Sequence, residues 1–265
     1  MLTARDPLSP ETESFYRSAL VALTDAQVPF LLGGAFALEH YTAITRNTHD
    51  IDAFVREQDA APALEALAKA GYRTDLKFPH WLGKAYSGKD EIDVIYCSGN
   101  GVARVDDAWF EHSEEGIALG VPVRVIPVEE MIWSKGFVQE RERYDGADVI
   151  HLLRARAERL DWGRLVARFG PYWRVLFAHL VLFGFVYPDQ RSCLPRGVMR
   201  ELMRRLDREL TAPSTDVHLC QGTLLSREQY LIDIERHGDV DARLREPGRM
   251  RREDIAIWTE GIKEK

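Results

Sequence analysis

Residues 31–52 read LLGGAFALEHYTAITRNTHDID, and this stretch decides the fold. Its two leucines end an apolar segment, residues 28–32, which predicts a short buried strand. The strand stops at the pair Gly33-Gly34, because two successive glycines are typical of a turn. Residues 35–41 then return to a helical composition. The stretch therefore predicts a strand, a glycine turn and a helix in direct succession.

A second predicted strand, residues 50–55, carries two aspartates on one face. Side chains alternate across a strand, so Asp50 and Asp52 point the same way and lie about 6.5 to 7 Å apart. Such a pair can hold one or two hard cations. Mg²⁺, with Mn²⁺ as a substitute, prefers carboxylate oxygens. The alternative is structural: Asp50 would cap the strand end and Asp52 would face water on an edge strand.

A third predicted strand, residues 91–96, contributes Asp93. A third acid on a neighbouring strand can ligate the metal that activates an attacking hydroxyl, or it can take the proton of that hydroxyl. The glycine pair is also suited to chemistry, since backbone between a strand and a helix can approach a phosphate closely. Zinc hydrolases and α/β-hydrolases have no support, because the sequence contains neither an HExxH motif nor a Gly-X-Ser-X-Gly elbow.

The predicted fold class is α+β, with a mixed sheet and flanking helices followed by a helical C-terminal part. Strands are expected to stop near Ile126, and a helical period continues to about Leu210. We divide the chain into a core, residues 1–150, and a helical C-terminal domain with a polar tail, residues 151–265. The other elements expected from periodicity are helices at residues 10–26 and 60–70, a strand at residues 121–126 and one more helix at residues 226–235.

The composition favours a folded cytoplasmic protein. Of the 265 residues, 45% are hydrophobic and 29% are charged, which supplies a sizeable core and excludes global disorder. The three cysteines form no CxxC pair and leave one over, which argues against a secreted disulfide framework. Residues 1–10 lack the apolar segment of a signal peptide. The longest apolar run, residues 175–187, is shorter than the roughly 20 residues of a membrane span, so it predicts a buried helix and no membrane partner.

Charge is distributed unevenly along the chain. Residues 1–135 hold 12 lysines and arginines against 21 acids, whereas residues 154–208 hold 12 arginines, no lysine and five acids. An acidic half suits metal cations, and a basic half suits an anionic partner such as RNA. The alternative is that these arginines are ordinary solvated side chains. The arginines that recur at helical spacing are Arg164 and Arg168 on one predicted helix and Arg200, Arg204 and Arg208 on another.

Several motifs together resemble the polymerase-β-like nucleotidyltransferase superfamily. The Gly-Gly pair and the Arg-X-Thr-X-Asp-Ile-Asp sequence of residues 46–52 are similar to the branch that contains AbiEii-type toxins and lincosamide nucleotidyltransferases. Residues 91–95 look like the strand that bears the third catalytic carboxylate. Residues 128–148 resemble a helical motif of AbiEii-like proteins, in which a lysine precedes an Asp-X-X-Asp segment. The resemblance covers residues 28–153.

The resemblance implies a metal-dependent nucleotidyltransferase, which moves NMP from an NTP to an acceptor and releases pyrophosphate. Asp50 and Asp52 would ligate two Mg²⁺ ions. Asp93 would complete the catalytic metal site and help to deprotonate the acceptor hydroxyl. The amides of Gly33 and Gly34 would hold the β- and γ-phosphates. The wider superfamily often has a serine in the place of Gly34, and the hydroxyl of that serine contacts a phosphate.

Further residues are candidates for substrate contacts by the same resemblance. Lys135 would neutralise triphosphate charge, with a solvated lysine as the alternative. Arg46 would bind phosphate or pair with a nearby acid, and Thr48 would contact the nucleotide or cap a turn. Asp145 and Asp148 would contact the acceptor or the base. Pairing with neighbouring arginines, or plain exposure, is the alternative for these two aspartates.

The acceptor stays open at this point. The resemblance is compatible with RNA such as the 3′ end of a tRNA, with a small molecule and with a protein. A toxin of this kind would have a cognate antitoxin as its partner, and RNA would bind through the arginine-rich residues 154–208. A function of another class is a non-catalytic nucleotide- or protein-binding module on the same fold. The presence of all three carboxylates favours the enzyme.

Overall fold

The computed structural model describes residues 8–46, 48, 50–213, 218–245 and 250–261. The chain divides into two compact units. The first comprises residues 1–127 with residues 256–265, and the second comprises residues 128–255. Two positions of the predicted motif, Asn47 and His49, lie outside the described residues. Residues 1–7, for which we predicted no signal peptide, also lie outside them.

The first unit contains the strand, turn and helix predicted from residues 31–52, together with both aspartate-bearing strands. Its elements in chain order are α1 (Pro10–Asp25), β1 (Leu31–Leu32), α2 (Gly34–Thr42), β2 (Asp50–Phe54), α3 (Glu57–Lys69), β3 (Arg73–Phe78), β4 (Leu82–Ser87), β5 (Asp90–Ile95), α4 (Asp107–Glu111), β6 (Glu114–Ala118) and β7 (Val121–Val125).

These strands form one mixed sheet in the order β3-β4-β5-β2-β1-β7-β6. β2 runs parallel to β5 and β1 runs parallel to β7, while the other neighbours are antiparallel. The predicted mixed sheet with flanking helices is therefore confirmed. The register sets Asp52 opposite Asp93 and Asp50 opposite Glu91, which brings the predicted acids onto adjacent strands.

Burial along β2 follows the predicted alternation. Ile51 and Ala53 are fully buried, whereas Asp50 and Asp52 are half-buried on the opposite face. α1 packs on α3, and both helices contact β5. The sheet thus has an apolar side covered by helices and a polar side that carries the acids, because period two separates the two sets of side chains.

Three strands and one boundary differ from the sequence prediction. β3, β4 and β6 are absent from the prediction, and β1 is two residues long rather than the expected residues 28–32. Pro29 has no amide hydrogen and cannot donate to a ladder, which accounts for the late start of β1. β4 reads LGKAYS, and its Gly83 and Lys84 interrupt any apolar alternation. The pairing with β3 and β5 forms the strand, and this pairing is not encoded in a local pattern.

The second unit is mainly helical, as expected. Its α-helices and strands in chain order are α5 (Val128–Gly136), α6 (Gly146–Arg156), α7 (Trp162–Phe169), α8 (Trp173–Val186), α9 (Arg196–Thr211), β8 (Leu219–Cys220), α10 (Leu231–Glu235) and β9 (Val240–Asp241), and α11 (Arg252–Glu260) starts here and ends in the first unit. Short 3₁₀ helices occur at Gly170–Tyr172, Arg191–Cys193, Gly222–Leu224 and Ala242–Leu244.

The expectation that strands stop near Ile126 is wrong in one respect. β8 and β9 form a short parallel pair in which Leu219 lies opposite Val240. Each of these strands has only two residues. Two residues are too few to produce a recognisable period in the sequence, so periodicity could not reveal this pair.

The expectation that residues 175–187 form a buried helix is also wrong in part. α8 buries Leu176, Leu180 and Phe183, but Phe185 on its other face is 82% exposed. The helical run Trp162–Val186 is long and apolar enough to cross a membrane by length and composition alone. Its most apolar window is 39% buried within the protein. An apolar composition on all sides conceals which face packs, and here one face packs against α5, α6 and α7.

Candidate active site

Three carboxylates converge on the polar side of the first unit's sheet. Asp50 and Asp52 lie on β2 and Asp93 lies on β5, and the two strands are parallel and in register. One carboxylate oxygen from each residue lies within 4.8 Å of the others. The structure therefore brings together the three acids that the sequence predicts as metal ligands. Oxygen donors at this separation suit a hard divalent cation.

The glycine turn lies directly against this cluster. The amide of Gly33 donates a hydrogen bond to the carbonyl oxygen of Asp52 at 2.9 Å. Gly34 has a φ of +54°, and a Cβ atom built on it would lie 1.7 Å from Oδ2 of Asp52. A Cβ atom on Gly33 would lie 2.2 Å from the ring of Phe54. Both glycines are therefore required by the close approach of the turn to β2, independently of any phosphate.

α2 starts at Gly34, with Gly33 at its N-cap position, and a glycine has no side chain to cap the helix. The amides at a helix start, together with the helix dipole, favour an anionic group. The cluster thus has a potential phosphate site next to a potential metal site. This juxtaposition was predicted from the position of the glycine pair between a strand and a helix.

Thr48 contacts the cluster through its hydroxyl group. The Oγ1 atom of Thr48 lies 2.6 Å from Oδ1 of Asp50 and 3.1 Å from the carbonyl oxygen of Asp50. The hydroxyl donates to the aspartate and thereby fixes the orientation of its carboxylate. The sequence predicts Thr48 as a nucleotide contact, whereas the structure gives it a contact with a candidate metal ligand. Arg46 is exposed in the loop before β2.

Lys84 is a member of the site that sequence reasoning missed. Its Nζ atom lies 2.8 Å from Oδ1 of Asp93 and 2.6 Å from Oε1 of Glu91. β4 pairs with β5, and this pairing sets Lys84 opposite Asp93. Burial lowers the pKa of Lys84, but the two carboxylates outweigh it and raise the pKa to about 12. The sequence could not reveal this role of Lys84, because β4 itself was not predicted as a strand.

The carboxyl group of Asp93 has a pKa above the usual value for an aspartate. Burial raises its pKa to about 6, against the opposing effect of Lys84, and the charges of Asp50 and Glu91 contribute to the rise. A carboxyl with a pKa near neutrality can exchange a proton more readily at physiological pH than an ordinary aspartate. The side chain is buried on the strand next to Asp52.

Lys135, Asp145 and Asp148 form a separate cluster within the second unit. The Nζ atom of Lys135 lies 2.8 Å from Oδ2 of Asp145 and 2.9 Å from Oδ2 of Asp148. Arg143 approaches Asp145 at 3.1 Å, as the alternative interpretation expects. Burial would raise the pKa of Asp145, but Lys135 and Arg143 hold it below its usual value. Asp145 is the N-cap residue of α6, and Asp148 lies in the first turn.

Two of the arginines predicted to face RNA are engaged inside the second unit. Arg164 forms ion pairs with Glu129 and Glu130 of α5, and Arg168 pairs with Glu130 at 2.9 Å. Glu129 and Glu130 are buried, which forces them to have cationic partners. The interpretation of Arg164 and Arg168 as a free basic face is therefore wrong.

The other predicted basic face lies on α9 and is exposed. Arg204 and Arg208 have side chains that are 70% and 71% exposed, and both approach Glu201. Arg200 is also exposed. These three arginines lie along one side of α9, as the spacing predicts.

Comparison with known proteins finds similarity only at the level of solved structures. No family profile matches this chain. No curated protein matches it. Similar structures include the antibiotic-resistance factor ANT(2″)-Ia, with 16% identity, 77% of this chain and 98% of that chain covered, and a TM-score of 0.41. The lincosamide antibiotic adenylyltransferase LnuA, bound to lincomycin, has 17% identity, 55% and 98% coverage and a TM-score of 0.40.

A third similar structure is an antigenic nucleotidyltransferase-like protein from Paracoccidioides brasiliensis. It has 16% identity, covers 73% of this chain and 99% of that chain, and has a TM-score of 0.46. Similarity at this level leaves the activity of the present chain to be inferred from its own site. The relevant features are the three carboxylates, the glycine turn and Lys84.

Proposed function

We propose that this chain is a Mg²⁺-dependent nucleotidyltransferase, which transfers NMP from an NTP to an acceptor hydroxyl and releases pyrophosphate. The observation that supports this function is the convergence of Asp50, Asp52 and Asp93, whose oxygens lie within 4.8 Å of one another next to a glycine turn. Phosphoryl-type transfer needs positioning and charge neutralisation rather than a covalent nucleophile. A carboxylate cluster that holds a divalent cation beside a helix start would provide both.

The donor set fits a hard divalent cation. All three candidate ligands are carboxylates, and Thr48 orients the one on Asp50. Gly34 lets the turn approach Oδ2 of Asp52 closely, because that oxygen lies where a side chain on residue 34 would begin. Asp50 and Asp52 would hold the ions, and Asp93 would complete the site of the catalytic one. Bound Mg²⁺ would neutralise phosphate charge and polarise the reacting phosphorus.

The protein's own groups would act on the two sides of the reacting α-phosphate. The amide of Gly34 would bind a phosphate at the start of α2, whereas the amide of Gly33, also predicted for this role, already donates to the carbonyl oxygen of Asp52. Asp93, held by Lys84, would accept the proton of the acceptor hydroxyl. The acceptor oxygen then bonds to the α-phosphorus, and the bond from that phosphorus to the bridging oxygen breaks as pyrophosphate leaves. We further expect Arg46 to contact phosphate when a nucleotide is bound, whereas Lys135 is already paired with Asp145 and Asp148 within the second unit.

The identity of the acceptor is a finer part of the proposal. RNA is supported by the exposed arginines Arg204 and Arg208 on α9, since phosphate contacts supply much of nucleic-acid affinity. A small hydroxyl compound such as a lincosamide, or a protein side chain, requires no such basic face. A toxin role with a cognate antitoxin belongs to the RNA version of the proposal, and it predicts growth arrest on expression that Asp50→Asn abolishes.

The proposal is tested by a transfer assay. The purified chain is incubated with each of the four α-labelled NTPs, Mg²⁺ and, separately, total RNA, cell protein and a lincosamide. We expect label in one acceptor fraction and stoichiometric pyrophosphate with the wild type, and neither with Asp50→Asn. Asp75→Asn is the matched control, because Asp75 is an exposed carboxylate on β3 of the same sheet. If the chain binds NTP but transfers nucleotide to no acceptor, the enzyme hypothesis is wrong and the non-catalytic binding module is favoured.

A further inference from the structure

α9 carries an apolar stripe that the second unit does not cover. Of its 16 residues, only Leu202 is buried. Met199, Met203, Leu206 and Leu210 recur at spacings of four, three and four, so they share one side of the helix. Met203 is 57% exposed and Leu210 is 76% exposed. We call these four residues the α9 seam.

α8 carries a second apolar stripe beside the seam. Arg174 near the start of α8 pairs with Glu209 near the end of α9, so the two helices are antiparallel neighbours. Val181 and Phe185 follow Arg174 by seven and eleven residues and therefore lie on the flank of α8 that reaches α9. Both side chains are largely exposed. The two stripes together form an apolar surface of the kind that monomeric proteins rarely leave open.

The charges at the edge of the seam indicate what covers it. Arg200 and Asp207 flank the seam on one side, seven residues apart. Within the part of the chain that the structure describes, neither of them forms an ion pair. Arg204 and Arg208 lie away from the seam and pair with Glu201. The edge of the seam thus offers one positive and one negative group, whereas an anionic lipid surface or a nucleic acid would call for a uniformly basic edge.

We propose that the α8 and α9 stripes form the contact between two copies of this chain, with the α9 seams packed antiparallel. A two-fold axis between positions 204 and 205 would place Met203 against Leu206 and Met199 against Leu210 of the second copy. The midpoint between Arg200 and Asp207 along the helix lies within one residue of this axis. Each copy's Arg200 therefore meets the other copy's Asp207, and the match occurs twice because a two-fold contact uses the same patch on both sides.

The size of the surface sets the expected strength. The seam from Met199 to Leu210 is about 17 Å long, since the helix rises about 1.5 Å per residue. One helix of this length buries less than the roughly 800 Å² per partner of a standard interface, and the stripe on α8 widens the contact. A contact of two helices per copy, with bulky apolar groups and two ion pairs, is expected to give a dissociation constant of about 1 to 100 µM.

The test is sedimentation velocity of the full chain across that concentration range. We expect the wild type to dimerise reversibly, and Leu210→Glu and Phe185→Glu to remain monomeric with unchanged circular dichroism. Ile117→Glu is the matched control, because Ile117 is an equally exposed apolar side chain of the first unit, at 80%. A wild type that is monomeric throughout, or a dimer that both glutamate variants leave intact, would overturn the proposal.

The antiparallel register has its own test. Arg200→Asp and Asp207→Arg alone should each weaken the dimer by about tenfold, because each replaces two attractions by two repulsions. The double variant should restore the dimer, whereas Arg204→Asp combined with Asp207→Arg should not. Failure of the double reversal would overturn the register. Binding of a monomeric wild type to phosphatidylserine vesicles, lost in Phe185→Glu, would assign the surface to a membrane instead of a second copy.

Discussion

The substitution Gly34→Ala tests the geometry of the candidate active site most directly. A Cβ atom at this position would lie 1.7 Å from Oδ2 of Asp52, whereas an ordinary contact begins at 3.4 Å, so the carboxylate or the turn must move by about 1.7 Å. A misplacement of about 1 Å at a reacting centre can cost about 100-fold in rate. We therefore expect nucleotidyl transfer to fall by at least about 100-fold.

The same substitution also has a cost in stability, and a control separates the two effects. Gly34 has a φ of +54°, and a left-handed conformation costs an ordinary L-residue about 1–2 kcal/mol. Gly88 has a φ of +61° with no atom within 4 Å of a Cβ built on it. Gly88→Ala should thus lower the melting temperature by a few degrees and leave transfer unchanged.

The measurements are calorimetric melting, Mg²⁺ titration and the transfer assay on both alanine variants. Gly34→Ala should melt at or below Gly88→Ala, and it should also lose Mg²⁺ affinity, because Asp52 is displaced. If Gly34→Ala transfers nucleotide within threefold of the wild type while its melting temperature falls as in Gly88→Ala, Asp52 is not a metal ligand and the reasoning is refuted.

Three other substitutions probe neighbouring contacts. Thr48→Val should reduce Mg²⁺ affinity by about tenfold, measured by titration, because Asp50 loses the hydroxyl that orients it. Asp93→Asn should abolish transfer. The pKa of Asp93 is about 6 in the folded protein against the usual 3.8, so the folded wild type loses stability as the pH rises from about 4 to above 6. The melting temperature of Asp93→Asn should therefore exceed that of the metal-free wild type at pH 8 and equal it at pH 4. Arg164→Ala should lower the unfolding free energy in urea by about 3–5 kcal/mol, because buried Glu129 loses its cationic partner and buried Glu130 keeps only Arg168.

The parts of the site that were predictable are those written in local patterns. Period two placed Asp50 and Asp52 on one face, and the glycine pair between a strand and a helix marked the turn beside them. Asp93 was recognisable because its own strand has an apolar alternation. The register that sets Asp93 next to Asp52 could not be read from the chain, but parallel pairing of the two strands was enough to bring the acids together.

The parts that could not be predicted depend on contacts between distant segments. Lys84 reaches Asp93 because β4 pairs with β5, and the sequence LGKAYS has no strand pattern of its own. Arg164 and Arg168 looked like a solvated basic face because charge counting along a segment does not show that Glu130, more than 30 residues earlier, is buried opposite them.

Compensation of buried charge distinguishes the candidate active site from the structural ion pairs of this protein. Burial would raise the pKa of Asp145, yet Lys135 and Arg143 lower it below the usual value, so this acid is fully compensated within its own unit. Asp93 is also buried, and its pKa stays raised to about 6 although Lys84 touches it. One lysine cannot neutralise Asp93 together with the acids around it.

A crowd of carboxylates that exceeds its cations destabilises the folded state, because each like charge and each desolvated oxygen disfavours the ionised form. Asp50 illustrates the shortage: among the described residues it receives a hydroxyl hydrogen bond from Thr48 and forms no ion pair. A cation supplied from solution removes this cost and gains binding energy from the same oxygens. The imbalance at Asp50 and Asp93 is therefore what the proposed metal-dependent site requires, and the balanced cluster around Lys135 is what a structural ion pair requires.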